Sequence, residues 1–439
     1  MADFAAPPSP ETAWAGVTHV VVGYSAGLLD DLDRMLPPRS VLVVEEGHAI
    51  DARRARARLA DIACVAGILA APTQDEAHPE RVVAVVPRLP DVRAVVPAVE
   101  YGVVAAAALA DAWSLPGAGV EAAKMLRDKA LLRVAAGAAG ISQPDWAHAR
   151  GPADVRRLRD RNGGGCVLKP ANRQASLGVQ LLGPDDDVHE AWLHTVAADE
   201  PKLRTHYDGA ARYLVEQRLH GPEVSVEVLV HNGEIGFLNV TAKSVQATRH
   251  PVETGHVVPA GSALIDPMGA DTMRAAMASL IAATGFGSGV LHAEWILVDG
   301  RPHLVECAGR LPGDSIDRLI DLAYGGSILE ALLAVLAGDA AAPARAATGA
   351  AAIRFLPAGI GRITSIDGVV NARHSSGVRD VRITVAVGDT VGLVTNSWQR
   401  AGYVIAVGAD AEAAARNADR ALELVRISTE TPVAVDLPA

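Results

Sequence analysis

Short apolar runs alternate with stretches of helical spacing along the first part of the chain. Residues 17–23 (VTHVVVG) and 40–44 (SVLVV) read as buried strands, and residues 82–86 and 94–96 are two further apolar runs of that kind. Residues 28–36 have helical spacing and stop at Pro37-Pro38, and residues 53–60 are charged and helical. Nearly continuous apolar strands separated by helices predict a parallel sheet covered on both faces. Residues 1–115 are therefore expected to form an α/β domain.

The pattern then changes. Residues 119–139 predict one long helix, with a turn at 140–144. Residues 166–169 (CVLK) and 178–182 (GVQLL) predict strands flanking a polar, glycine-containing loop. Residues 213–217, 224–230 and 235–242 predict an antiparallel sheet, in which Val224, Val226, Val228 and Val230 alternate with Ser225, Glu227 and Leu229. His231-Asn232-Gly233 is a hairpin turn between the last two, and Asp299-Gly300 joins a second hairpin, 291–298 with 303–307. Helices are expected at 268–284, closed by Gly285, and at 314–337. The Ala-rich stretch 338–352 reads as a linker. Beyond it, IRFL, GRITSI, VRITVAV and GYVIAVG are short strands and 411–426 is a closing helix, predicting a small α+β domain over 350–439.

Composition narrows the function classes. Half of the residues are apolar and 21% are charged, so a sizeable core is expected and wholesale disorder is not. The net charge is −11 and no basic stripe with interleaved aromatics occurs, which predicts no nucleic-acid partner. No apolar stretch reaches the ~18–20 uninterrupted residues of a membrane helix, and residues 1–10 lack the basic start and apolar run of a signal peptide. Cys64, Cys166 and Cys307 lie far apart without metal-ligand spacing, so free thiols in a reducing cytoplasm are expected. A homodimer is the default expectation for assembly.

The chemistry is carried by an ordered series. Arg127-Asp128-Lys129 comes first, then Val167-Leu168-Lys169-Pro170 and the loop from Asn172 to Val179. Glu216-Gln217 and Gly221-Pro222-Glu223 follow, and last come His292-Ala293-Glu294 and Glu306-Cys307-Ala308-Gly309-Arg310. Lys129 and Lys169 are point charges suited to a triphosphate. Read alone, Lys129 is more often a solvated helix charge, whereas Lys169 ends an apolar strand, where a surface lysine has less reason to sit. The Ser176-Leu177-Gly178 loop offers N–H groups and close backbone approach to phosphate, or is an ordinary hairpin loop. Glu294 and Glu306 stand on two strands of one predicted hairpin beside apolar runs. Carboxylates so placed need a partner. Mg²⁺, shared between one or two carboxylates and phosphate oxygens, is one, and a salt bridge to Arg301 or Arg310 is another.

In this order and spacing the motifs resemble the ATP-grasp superfamily, and most closely its L-amino-acid ligase branch, the carboxylate–amine ligases that make dipeptides. The resemblance is strongest over residues 80–330 and continues to the end of the chain. It implies a Rossmann-like domain at 1–115 and an ATP-grasp domain at 116–340, with a small lobe at about 125–212 and a large lobe at about 213–340. A C-terminal domain of the ligase type is implied at 350–439. ATP and Mg²⁺ (with Mn²⁺ as a substitute) are the implied cofactors. The Ser176 loop would close over the β- and γ-phosphates. Backbone groups around Glu216, Gln217 and Leu219 would meet adenine, and Glu223 would take the ribose hydroxyls. Glu294 and Glu306 would hold the metal; Ala308 stands where many relatives have an Asn that supplies a further ligand to a second Mg²⁺, so that ligand stays open here. Arg310 fits the branch's arginine four residues after the glutamate and would stabilise the phosphoryl group and the oxyanion. Its alternative is a structural ion pair with Asp314 or Asp317. Glu253, His256 and Asp314 would face the amino-acid substrates, Asp314 favouring a cationic or small polar one.

The implied reaction activates a carboxylate as an acyl phosphate and joins it to an amine. A carboxylase or purine-pathway ligase is the alternative within the superfamily, and a non-catalytic ATP-binding module is another. A different class is raised by Gly23-Tyr24-Ser25-Ala26-Gly27, which matches the nucleophile elbow of serine hydrolases. Ser25 follows the first strand of the chain, whereas an elbow serine follows several, so this segment reads as a turn of the opening α/β unit.

Overall fold

The computed structural model describes residues 14–204, 207, 212–266, 269, 271–340 and 346–430. The leader reading of residues 1–10, the start of the helix expected from Met268 and the middle of the expected linker lie outside them. The first sheet consists of β1 (His19–Val22), β2 (Val41–Glu45), β3 (Val65–Ala70) and β4 (Ala94–Pro97), all parallel, in the order β3-β2-β1-β4. Successive side chains of a strand point to opposite faces. Val20, Val22, Leu42 and Val44 pack toward helix Val103–Trp113, while Val21, Val41 and Val43 join the core with helices Ile316–Tyr324 and Ile328–Leu336. The apolar run 82–86 is not a strand. It lies mostly in helix Glu80–Val85, in which only Val82 is buried. One edge of the sheet is β3, in which a Cβ at Gly67 would sit 2.5 Å from the Trp14 ring.

The long helix expected over 119–139 is two helices, Val120–Arg127 and Lys129–Ala138. Asp128 is extended between them, and its carboxylate accepts the N–H groups of Ala130 and Leu131 as an N-cap. The break puts Lys129 at the head of a helix, its N–H bonded to the Ala171 carbonyl at 2.9 Å. A second, antiparallel sheet follows: β5 (Trp146–Ala149), β6 (Cys166–Pro170), β7 (Gln180–Leu182) and β8 (Tyr213–Gln217), in the order β5-β8-β6-β7.

The central sheet is antiparallel throughout. It contains β9 (Glu223–His231), β10 (Glu234–Val245), β11 (Glu253–Val258), β12 (Gly289–Val298) and β13 (Arg301–Ala308). Three strands of the last section extend it, β14 (Ala350–Phe355), β16 (Val378–Ile383) and β18 (Gly402–Gly408), giving the order β13-β12-β9-β10-β11-β14-β18-β16. Only β15 (Gly361–Asp367), β17 (Thr390–Val391) and β19 (Arg426–Glu430) form a sheet of their own. Much of the C-terminal α+β section is thus continuous with the sheet that carries the carboxylates. The expected linker ends early as well, since Ala350–Ala352 are buried in β14. The helix expected over 314–337 bends by 102° between Ile316–Tyr324 and Ile328–Leu336. Gly325 ends the first part at φ +69°. No single described helix is long and apolar enough to cross a membrane. All three cysteines are unpaired and buried.

Candidate active site

A cleft of about 1230 Å³ opens between the β5–β8 sheet and the central sheet. Residues at or just beyond the ends of β1, β2 and β4 also line it, including Ser25, Glu45 and Glu100. Lys129, Lys169, Ser176, Leu177, Glu216, Gln217, Leu219 and Glu223 line it, as do Glu253, His256, Glu294, Glu306, Arg310 and Asp314. Of the expected phosphate-loop residues, Gly178 does not. The volume exceeds the ~300–1,000 Å³ of a typical small-molecule site, so the cleft is roomy enough for more than one ligand.

The two lysines are held by carboxylates. Lys169 Nζ lies 2.7 Å from Glu216 Oε2, and Arg133 grips the same carboxylate through Nε at 2.9 Å and Nη2 at 3.2 Å. All three side chains are buried. Burial lowers the Lys169 pKa, opposed by Glu216. Burial alone would raise Glu216, but Arg133 and Lys169 hold its carboxyl down to about 2. Lys129 Nζ stands 3.1 Å from Glu306 Oε2 and donates to the Arg173 carbonyl at 2.9 Å.

The loop after β6 turns through left-handed residues, Ala175 at φ +54°, Ser176 at +56° and Gly178 at +74°. A Cβ on Gly178 would lie 2.8 Å from Ala198 Cβ and 3.1 Å from Pro170. The glycine is therefore needed behind the loop, for packing, while Ser176 and Leu177 face the cleft. After β8 the chain turns through Gly221, where a Cβ would meet the Leu297 carbonyl oxygen at 2.0 Å. This close approach to β12 sets the start of β9 and hence Glu223. The Gln217 N–H is already bonded to the Asp145 carbonyl at 2.7 Å, so it is not free for the adenine contact expected there.

Glu294 and Glu306 are direct cross-strand partners in the β12–β13 pair, so both carboxylates project from one face. Among the described residues no cluster of three His, Cys, Asp or Glu could enclose a metal. Two adjacent carboxylates facing a roomy cleft fit Mg²⁺, which keeps water and phosphate oxygens in its shell. They do not fit a closed protein cage.

Sequence reasoning missed Lys243 on β10, a buried ammonium among carboxylates. Its Nζ lies 2.6 Å from Glu294 Oε1, 2.8 Å from Glu223 Oε1 and 3.7 Å from Glu253 Oε1. Burial would lower its pKa, but Glu223 and Glu294 raise it well above the usual lysine value. His292 was named only as part of a motif. Its Nδ1 is 3.0 Å from Glu227 Oε1 and its Nε2 3.4 Å from Glu294 Oε1. Against the effect of burial, these carboxylates lift the imidazole to about 9. An apolar–polar alternation along β10 marks Lys243 only as one of several inward positions, so the signal for it was weak.

Arg310 reaches back to the first domain. Its Nε donates to Glu100 Oε2 at 2.7 Å and its Nη1 to the Leu311 carbonyl at 2.8 Å. Neither Asp314 nor Asp317 is its partner. Glu100 Oε1 also accepts from Arg127 Nη1 at 3.0 Å. Burial would raise Glu100, but Arg310 and Arg127 bring it to about 2. Asp314 has a different role from a free acid. One oxygen accepts from Arg400 Nη1 at 2.9 Å and lies 3.0 Å from His256 Nε2, and Arg400 Nη2 holds the other oxygen. Burial notwithstanding, these two partners push its pKa far below the carboxylate range, so its charge is answered inside the protein. Ser25 lines the cleft, but among the described residues no histidine or acid is hydrogen-bonded to it, and its hydroxyl does not cap the following helix.

Residues 163–317 match the ATP-grasp domain family, and residues 354–430 match L-amino acid ligase C-terminal domain 2. An L-amino acid ligase from Bacillus licheniformis superposes with a TM-score of 0.74 over 94% of this chain and 99% of that one, at 17% identity. Phosphoribosylglycinamide synthetase from Anaerococcus prevotii gives 0.65 over 94% and 100%, at 14% identity. At these identities the likeness is one of fold. Among curated sequences, the chain is 26% identical over 317 residues to an uncharacterized protein, y4rH, of Sinorhizobium fredii. It is also 26% identical over 239 residues to the alanine–anticapsin ligase of Bacillus subtilis. These matches cover 71% and 51% of this chain but only 63% and 49% of the relatives' lengths.

Proposed function

From the premise that this chain belongs to the ATP-grasp superfamily and resembles its L-amino acid ligase branch, we propose that it is an ADP-forming carboxylate–amine ligase acting on amino acids. The observation that carries the reading is the convergence of Lys129, Lys169, Ser176, Glu223, Glu294, Glu306 and Arg310 on one cleft. The match to the ligase C-terminal domain favours an amino-acid substrate over bicarbonate or formate.

ATP lies with its adenine at the turn after β8 and its ribose toward Glu223. Lys129, Lys169 and Lys243 are the lysines that line the cleft, and with Arg310 they would face the triphosphate, which the Ser176 loop would cover. Lys169 can turn to phosphate without abandoning Glu216, because Arg133 keeps that carboxylate paired. Glu294 and Glu306 would hold Mg²⁺, or Mn²⁺ in its place, which would supply neutralisation of phosphate charge. A substrate carboxylate attacks the γ-phosphorus in line and ADP leaves, a step that needs positioning and charge neutralisation above all. An amine then attacks the acyl carbon, and phosphate departs with one oxygen of the original carboxylate. Arg310, steadied by Glu100, faces the oxyanion of that second step. Closure of the Ser176 loop excludes water from the acyl phosphate. Glu253 and His256 border the amino-acid end of the cleft. A cytoplasmic setting belongs to the same proposal and is supported by the three unpaired thiols.

The test is a matrix of amino acids taken in pairs, read by phosphate release and by product mass. Phosphate released only with an amino acid present, together with a condensation product, supports the ligase. Release with bicarbonate or formate alone supports the carboxylase reading. Nucleotide binding without turnover on any pair overturns both.

A further inference from the structure

A short segment of the C-terminal section crosses the mouth of the cleft. Residues 395–400 form a strap built around the single 3₁₀ turn Ser397–Gln399. It is pinned at several points to elements that bear the chemistry. The Ser397 N–H donates to the Ala175 carbonyl of the phosphate-side loop at 3.1 Å. Ser397 Oγ donates to Glu253 Oε2 at 2.7 Å. Arg400 forms the two-pronged pair with Asp314, lies over the Phe355 ring with its Cζ 3.5 Å from the centroid, and donates through Nε to the Ser397 carbonyl. Inside the strap, Asn396 Oδ1 accepts the Trp398 N–H and Gln399 Oε1 accepts the Thr395 N–H.

The turn is fixed, yet its largest side chain is not packed. Trp398 is 62% exposed while lining the cleft. An indole on a rigid backbone, with its conformational entropy already lost, is a preformed apolar surface that a ligand can cover cheaply. The polar groups beside it have partners of their own. Asp314 is taken by Arg400 and His256, and Glu253 by Ser397. Asp314 and Ser315 both sit in the left-handed region, at φ +58°, in the turn that follows Arg310. The side chain that holds the strap is thus set by the same short turn as the residue proposed for the oxyanion.

We propose that the strap is the specificity-determining wall of the amino-acid site. In it, Trp398 contacts the side chain of an uncharged, apolar or aromatic amino-acid substrate, and Asp314 and Arg400 act as positioning residues for it. This rests on the ligase reading and says which part of the chain selects the substrate. Asp314 then acts through Arg400 and not by attracting a cationic substrate.

The experiment compares kcat/KM for leucine or phenylalanine with that for glycine, by amino-acid-dependent phosphate release. Trp398→Ala is expected to lower that ratio roughly 10- to 100-fold, the range an apolar contact supplies to discrimination. Trp398→Phe restores most of it. Arg400→Gln, which frees the strap while leaving Trp398 in place, lowers the same ratio, and Arg400→Lys recovers part of it. If the wild type releases phosphate with amino acids but the ratio is unchanged in Trp398→Ala, the inference fails and the ligase reading stands. An equal loss for glycine and for large substrates means a merely structural strap and also overturns the inference. No phosphate release by the wild type with any amino acid removes the ligase reading and this inference with it.

Discussion

The shared contact of Arg133 and Lys169 with Glu216 allows a structural role and the proposed phosphate-binding role to be told apart. Arg133 and Lys169 both contact its carboxylate, but they are not equivalent. Arg133 makes two bonds to it and a third, at 2.7 Å, to the Val305 carbonyl, and it lies outside the cleft. Lys169 makes one contact and lines the cleft. In Arg133→Met the Val305 carbonyl loses its partner and Glu216 loses two bonds but keeps Lys169. Losing two charge-assisted bonds and stranding a buried carbonyl costs about 3–5 kcal/mol. In Lys169→Met the two-pronged Arg133 pair survives, so a loss of only about 1–2 kcal/mol is expected. The order reverses in catalysis. Loss of a phosphate-facing cation should lower kcat/KM for ATP at least 100-fold, about 3 kcal/mol in the transition state. Urea unfolding followed by circular dichroism gives the first quantity, and phosphate release over a range of ATP concentrations gives the second. If Lys169→Met unfolds as easily as Arg133→Met while its kcat/KM for ATP is unchanged, Lys169 is a strut for Glu216 and not a phosphate ligand.

Other perturbations probe the rest of the site. Lys243→Met leaves Glu223 and Glu294 without their nearest cation; without added metal the variant should melt well below wild type, and Mg²⁺ should raise its melting temperature more than it raises that of wild type. An insensitivity to Mg²⁺ equal to wild type in thermal melts would count against a metal at Glu294. Glu100→Gln weakens the hold on Arg310, and steady-state kinetics should show kcat reduced about tenfold or more with little change in KM for ATP. Burial, with Asp317 and Asp31 nearby, raises the Asp321 carboxyl to about 7, against about 3.9 in an unfolded chain. The folded protein therefore binds the extra proton between these values, and its stability falls as pH rises through them. Asp321→Asn retains an oxygen for the Ile328 N–H. By denaturant unfolding it should match wild type near pH 4 and exceed it by roughly 1 kcal/mol near pH 8, after allowance for partial solvent screening.

Local chemistry wrote much of this architecture into the sequence. Asn232-Gly233 and Asp299-Gly300 mark the two hairpins of the central sheet because their turns require left-handed residues, and both pairs are found there. The ordered lysines and glutamates are legible because each type suits one part of a nucleotide. Other features depend on contacts between distant segments. Residues 82–86 and 65–70 are both apolar, and only packing decides that the second pairs with β2. Asp128 reads as one more polar helix position until its side chain is seen capping the next helix. No local pattern shows that β14, β18 and β16 continue the central sheet, because strand partners are not encoded by alternation alone. That continuity brings Arg400 and Trp398 to the cleft. Lys243, Glu100 and Arg133 escaped notice for a related reason: a charged residue on a strand or helix gains meaning only from the buried partner opposite it.

The central claim is that a carboxylate oxygen is bonded to the γ-phosphorus of ATP before the amide forms. An amino acid labelled with ¹⁸O in its carboxylate, incubated with ATP, Mg²⁺ and an acceptor amine, tests it directly. The account predicts ADP and inorganic phosphate that carries one ¹⁸O atom for each amide formed, read by mass spectrometry. Unlabelled phosphate, or label appearing in AMP with release of pyrophosphate, would contradict it.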